Sequence, residues 1–296
     1  MSKFSEALFT SSCNIVQIDK TIEYSCQMAI QSPKAFYNFM QRYTHFNAYA
    51  GSLVARLASS IGLSRHLFKS ASCLTIDESD RGIEVAAKIL AATIDEHSDS
   101  KIKGLSHRLL AQSLLRSVGD YAALTVHERN YFSTSPPWIQ SCVEDLIEGY
   151  QGLPNRLDSL VKAIGFHIAS EMLADREFMI IDRVVRHDNY GHGFDAYLRT
   201  HANKLQVLDH HYSTWYWIVV HGNFNGSGVE AEHFQLAIEA LNLAAEYSSE
   251  SDEKFQTLAL QGFLEFVEIQ QRLFKEIHKE CSDIIQTLSQ GSYVAG

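Results

Sequence analysis

The chain has 296 residues, 46% of them hydrophobic and 20% charged, and its 25 basic against 35 acidic side chains leave a formal charge of −10. That composition excludes a disordered or fibrous chain, and the acidic balance argues against nucleic acid as a partner, because phosphate binding needs a basic surface. No apolar run reaches the ~18 residues of a membrane-spanning helix, so a membrane is not an expected partner.

The first residues, Met1 to Glu6, lack a long apolar core and a small-residue cleavage site, so they do not read as a secretion signal. The cysteines Cys13, Cys26, Cys73, Cys142 and Cys281 are scattered, odd in number and never in a CxxC pair. They read as reduced thiols in a cytoplasm, with neither a disulfide framework nor a zinc site. Residues 1–31 are less regular than the rest of the chain and read as an arm or a short helix, leaving 32–296 as one helical domain.

From there the pattern is helical. Proline occurs only at Pro33, Pro136, Pro137 and Pro154, so long stretches contain none. Ser32-Pro33 and Ser135-Pro136 each place a capping serine before a proline suited to a first helical turn. Over 34–61, Phe36, Phe39, Met40, Tyr43, Phe46, Tyr49, Ala50, Leu53, Val54 and Leu57 recur at intervals of three and four. The same spacing runs through 80–97, 106–118, 137–148, 155–186, 194–221, 229–247 and 252–288, while 120–134 is ambiguous. No alternating strand pair stands out. The fold class read from this is all-α, a single multi-helical bundle of about eight helices.

Ligand-type side chains lie on several of these helices. Glu96 ends one helix and His107 begins the next across a polar loop, so a tight turn could face them to one point; carboxylate plus imidazole suits iron. The bland alternative is a helix-ending acid and a surface histidine. His167 and Glu171 stand at i, i+4 among Ala163, Ile164, Phe166, Ile168 and Leu173. A carboxylate there is costly unless paired or metal-bound, and a buried structural His–Glu pair would also satisfy it. Residues 201–221 hold His201, Asp209, His210, His211 and His221. On one helix Asp209 and His211 would diverge by roughly 80° to either side of the His201 face, so all five cannot serve one site. Glu230-Ala231-Glu232-His233 is a lone Glu-x-x-His, where ferritin-like di-iron bundles need two. At a first helical turn it reads as capping charge. There is no phosphate loop and no GxSxG.

The order of these features resembles the haem-oxygenase-like helical superfamily, in particular its branch of non-haem di-iron oxygenases. The aromatic helix from Gln41 to Ala58 is similar to that family's early helix. Ala91 to Gly119 resembles its Glu–loop–His segment, Ala163 to Glu171 its small-residue helix with the next Glu ligand, and 197–211 its last ligand helix. The similarity spans roughly 35–220 as a spaced pattern. By this resemblance Glu96, His107, Glu171 and His201 are iron ligands. The family's last helix reads His-x-x-x-Asp-x-x-His, and this chain has Leu205 and Leu208 at the later two positions, so Asp209, His210 or His211 would have to substitute on an irregular helix. One iron, two irons or none are then open.

The resemblance implies Fe(II) chemistry with O2 on a small amino-acid-like or fatty-acid-like substrate, in a pocket walled by Phe46, Phe166, Tyr197 and Trp215. Relatives on the same fold act without metal, so fold alone does not set the activity. The alternative is a non-catalytic helical binding or assembly protein that keeps the fold and has lost part of the site. Amphipathic helices also allow a homodimer.

Overall fold

The computed structural model describes residues 3–69, 75–201, 204–207, 210–222 and 229–290. It is all-α apart from one small hairpin. The N-terminal segment forms α1 (Glu6–Thr10) and α2 (Ile15–Ala29), capped by the Asn14 side chain on the Gln17 amide. Both helices pack inward: Phe9, Ile18 and Ile22 are fully buried, and Phe9 meets Phe263 with ring centroids 5.2 Å apart.

The long aromatic pattern at 34–61 is not one helix. It forms α3 (Pro33–Phe46), a single 3-10 turn (Asn47–Tyr49) and α4 (Ala50–Leu63). The chain bends at Asn47, whose side-chain amide donates to the Tyr43 carbonyl at 3.0 Å and so takes up a helix-terminal acceptor. Next come α5 (Thr75–His97) and α6 (His107–Tyr121). The ambiguous 120–134 stretch forms α7 (Val126–Ser133), started by a full capping box of Thr125 and Glu128. After it come α8 (Pro137–Gly149) and α9 (Leu157–Asp182), the latter ending in a π turn (Arg183–His187).

Helix α9 is the axis of the molecule. Its residues 163–169 are buried on every face, as expected of a helix that is apolar all round.

The stretch 194–221 departs from the expected single helix. It comprises α10 (Gly193–His201), an antiparallel pair of strands β1 (Lys204–Val207) and β2 (His210–Ser213), and α11 (Tyr216–His221). The pairing runs from Lys204 opposite Ser213 to Val207 opposite His210. Three- and four-residue spacing of Leu205, Leu208 and Tyr212 fits a helix, but a short run cannot tell the two periods apart when packing decides. The chain closes with α12 (Val229–Glu246) and α13 (Asp252–Ser289).

Helix α13 packs along α9, and α12 packs along both α9 and α5. A Cβ on Gly262 would strike the Lys162 carbonyl, and one on Gly165 the Ala259 carbonyl. The two backbones therefore touch at a crossing that only glycine permits. Among the described residues no helix is long and apolar enough to cross a membrane, and Cys13, Cys26, Cys142 and Cys281 are free thiols. Cys73 lies outside the described residues.

Candidate metal centre

The loop between α5 and α6 turns on two left-handed residues, Lys103 (φ 57°) and Gly104 (φ 81°), and is closed by a bridge between Asp99 and Leu105. It brings Glu96, on the last turn of α5, to His107, on the first turn of α6, with Oε1 and Nδ1 3.1 Å apart. The third member is His221, at the end of α11, whose Nε2 lies 3.3 Å from the same Glu96 oxygen. The His107 and His221 rings meet edge to face at 4.4 Å.

A second cluster faces the first. Glu171 of α9 meets Glu230 and His233 of α12, with His233 Nδ1 at 3.4 Å from Glu230 and 3.6 Å from Glu171. His221 Nε2 lies 3.5 Å from Glu230 Oε1 and so joins the two groups. Within each triad, Glu96–His107–His221 and Glu171–Glu230–His233, the donor atoms lie within 4.8 Å of one another, so each could hold a metal ion.

The surrounding groups prepare the imidazoles as ligands. His221 Nδ1–H donates to the Trp217 carbonyl at 2.6 Å, leaving Nε2 to face the two glutamates. His107 Nε2 lies 3.3 Å from the buried Asp99 carboxylate, which aims Nδ1 at Glu96. A carboxylate or carbonyl behind a ligand histidine fixes its tautomer and raises its basicity. His167 is buried behind Glu171, its Nδ1 3.1 Å from Glu171 Oε1 and 3.1 Å from the Tyr150 hydroxyl.

Charge in this enclosure is finely balanced. Burial raises the Glu96 carboxyl, but hydrogen bonds from His107 and His221 outweigh it and hold the group well below the usual range. Burial and the neighbouring Glu171 charge push Glu230 up to about 7. Burial would lower His233, yet Glu171 and Glu230 hold it far above an ordinary histidine. Three carboxylates facing three imidazoles thus share protons that a divalent cation would displace.

Both clusters line one cavity of about 80 Å³. Its wall is mostly apolar: Phe46 and Val54, Ala92 and Ala111, Phe178, Trp217 and Phe266. The carboxyl of Glu177 also opens on it. The bend at Asn47 gives it Ala48 and Ala50, small residues that leave the space.

Of the residues expected from sequence, Glu96, His107 and Glu171 come together here and Phe46 lines the cavity. The others do not. His201 is exposed at the end of α10 and stacks on Tyr197 at 4.1 Å, because α10 buries only Phe194 and Asp195 and leaves the bundle there. His211 is exposed on β2, and Asp209 lies outside the described residues. Tyr197 stacks with Phe194, away from the cavity. Trp215 is buried in the core, its indole N–H donating to Asp182 at 2.7 Å; Trp217 takes the wall position instead. Phe166 fills core behind Tyr150 and Phe266 without reaching the cavity.

Glu230 and His233 are not surface capping charge. Both are buried, on the face that continues as Phe234, Ala237, Ile238 and Leu241. That apolar stripe, carried back through Glu230 and His233 at i, i+3, is the signal available in the sequence. For His221 the signal is its i, i+4 place behind Trp217, both buried.

The fold and site together define an all-α bundle with two facing His/Glu triads at its centre. A scan of the chain against protein-family models finds no match, and a search of curated proteins finds none either.

Proposed function

We propose that this chain is a non-haem di-iron oxygenase of the haem-oxygenase-like kind, acting with O2 on a small amino-acid-like or fatty-acid-like substrate. The observation that carries the reading is the meeting of two carboxylate–histidine triads, from α5, α6, α9, α11 and α12, across one apolar cavity. Oxygen and imidazole donors in this mixture suit iron, and His221, Glu230 and His233 complete the two triads where His201, Leu205 and Leu208 do not. The acid-x-x-His spacing of the resembling family recurs at Glu230–His233, with His221 upstream of it.

Glu96, His107 and His221 would hold one iron and Glu171, Glu230 and His233 the other. Bound Fe(II) would supply open positions for O2 and substrate. The protein's share is orientation and exclusion of water. Asp99 and the Trp217 carbonyl keep His107 and His221 aimed, Phe178 stacks on His221 at 4.4 Å, and Phe46, Trp217 and Phe266 supply apolar wall to the chamber.

Iron counted in protein produced in iron-supplemented medium tests this. Close to two irons per chain are expected, falling to one or none in Glu171→Ala and Glu230→Ala while circular dichroism stays helical. A wild-type protein that takes up no iron, with variants equally stable, overturns the oxygenase reading and leaves the binding or assembly protein.

A further inference from the structure

Among the described residues Arg108 is the one basic side chain of the cavity wall that is not a metal-ligand candidate. It sits on the second residue of α6, next to His107, at the solvent edge of the chamber with Thr44 and Asn47. Many arginines in this acidic chain hold acids closely: Arg42 meets Glu280 at 2.9 Å, Arg129 meets Asp120 at 2.7 Å, and Arg186 and Arg199 meet Asp182 and Asp195 at 2.6 Å. Arg56, Arg65, Arg116 and Arg156 are not held in ion pairs among the described residues, but they do not line the cavity. Arg108 forms no ion pair among the described residues. Its guanidinium makes a single long hydrogen bond to the Thr44 carbonyl at 3.4 Å, at the C-terminal end of α3. It therefore keeps most of a planar fork of donors whose best partner is a carboxylate.

We propose that Arg108 is the substrate-recognition residue of the cavity and that its ligand is a small carboxylate, held by the guanidinium at the rim with its carbon chain among Ala48, Ala50, Val54 and Ala111. This rests on the two-iron reading. Without cations the glutamates inside would repel an anion; two divalent ions would offset the three ligand carboxylates. The fourth, Glu177, accepts from Gln270 at 3.1 Å and its burial favours the neutral form. The size follows from the space. A cavity of about 80 Å³ is smaller than the ~150 Å³ that accepts benzene, so it suits a chain of about three or four carbons.

Butyrate, butyramide and butylamine serve as probes, titrated calorimetrically under argon into iron-loaded wild type, Arg108→Gln and Arg108→Lys, with iron counted in each. Wild type should prefer butyrate to butyramide by about tenfold or more, the scale of a hydrogen bond to a charged group. Arg108→Gln should lose that preference with its iron content unchanged, and Arg108→Lys should regain part of it. Unchanged butyrate binding in Arg108→Gln, or butylamine binding tightest, overturns the proposal. Failure of the iron reading shows separately, as wild type without iron. That result overturns this proposal along with the iron reading, because glutamates left without cations would repel the anion, whereas Arg108-independent butyrate binding to iron-loaded protein overturns this proposal alone.

Discussion

Glu177 is fully enclosed beside Tyr43, and that burial pushes its pKa up to about 7 against the lowering effect of the Gln270 amide that donates to it. Burial is the main cause, because the charged form loses its water. The sign follows. Between the unfolded value near 4.5 and the folded value near 7, the folded chain holds a proton that the unfolded chain has released, so stability falls as pH rises. The loss amounts to about 3 kcal/mol across that window. Glu177→Gln keeps the acceptor for Gln270 and removes the charge. Its stability in denaturant titrations should decline less than that of wild type between pH 5 and pH 8. Parallel declines would show that Glu177 does not titrate there. The same reasoning separates the ligand residues from their neighbours. Glu96 and His107 are legible as a pair from their places at two helix ends, whereas Asp99, which aims His107, looks like any loop acid until it is found fully buried.

At the scale of elements, the crossing of α9 and α13 holds the site in register. Gly262 lies on the Lys162 carbonyl and Gly165 on that of Ala259, so the backbones cannot separate without moving Glu171 further along α9. Gly262→Ala would force a methyl against backbone, which no rotamer change relieves. A destabilisation of about 1–3 kcal/mol or more is expected in urea unfolding, with weaker metal uptake at the Glu171–Glu230–His233 cluster. A neutral substitution would mean that the helices are free to slide. Most of the elements are legible in the sequence: the start at Pro33 and the runs of α5, α6, α9, α12 and α13 match their apolar spacing, while α8 starts at Pro137 with Pro136, not Ser135, as its cap. The departures have local causes. Asn47 interrupts an aromatic stripe whose period continues through the bend. Lys204–Val207 and His210–Ser213 pair as strands although the spacing of this stretch also fits a helix. A place for His201 in the site depends on that longer helix and is lost with it.

For the whole molecule, metal and fold are expected to be linked. Three carboxylates and three imidazoles at the centre of the bundle repel or share protons without a cation, and binding that favours the folded state stabilises it by mass action. Loading the chelator-treated protein with Fe(II) or Mn(II) under argon should raise its unfolding midpoint in a concentration-dependent way. The gain should be about 3 kcal/mol once free metal reaches roughly a hundred times the dissociation constant. An unfolding midpoint indifferent to metal and to chelator would remove the linkage. The sequence alone determined the all-α class and offered Glu96 and His107, and Glu171 on an apolar helix, as candidates, because helical periodicity and short loops are local properties. Only the tertiary structure decided the rest of the site. His221 reaches Glu96 across 125 residues, and Glu230 and His233 reach Glu171 only because α12 packs along α9. Which distant helix meets which is set by side-chain fit between their faces, and no spacing within one segment records it.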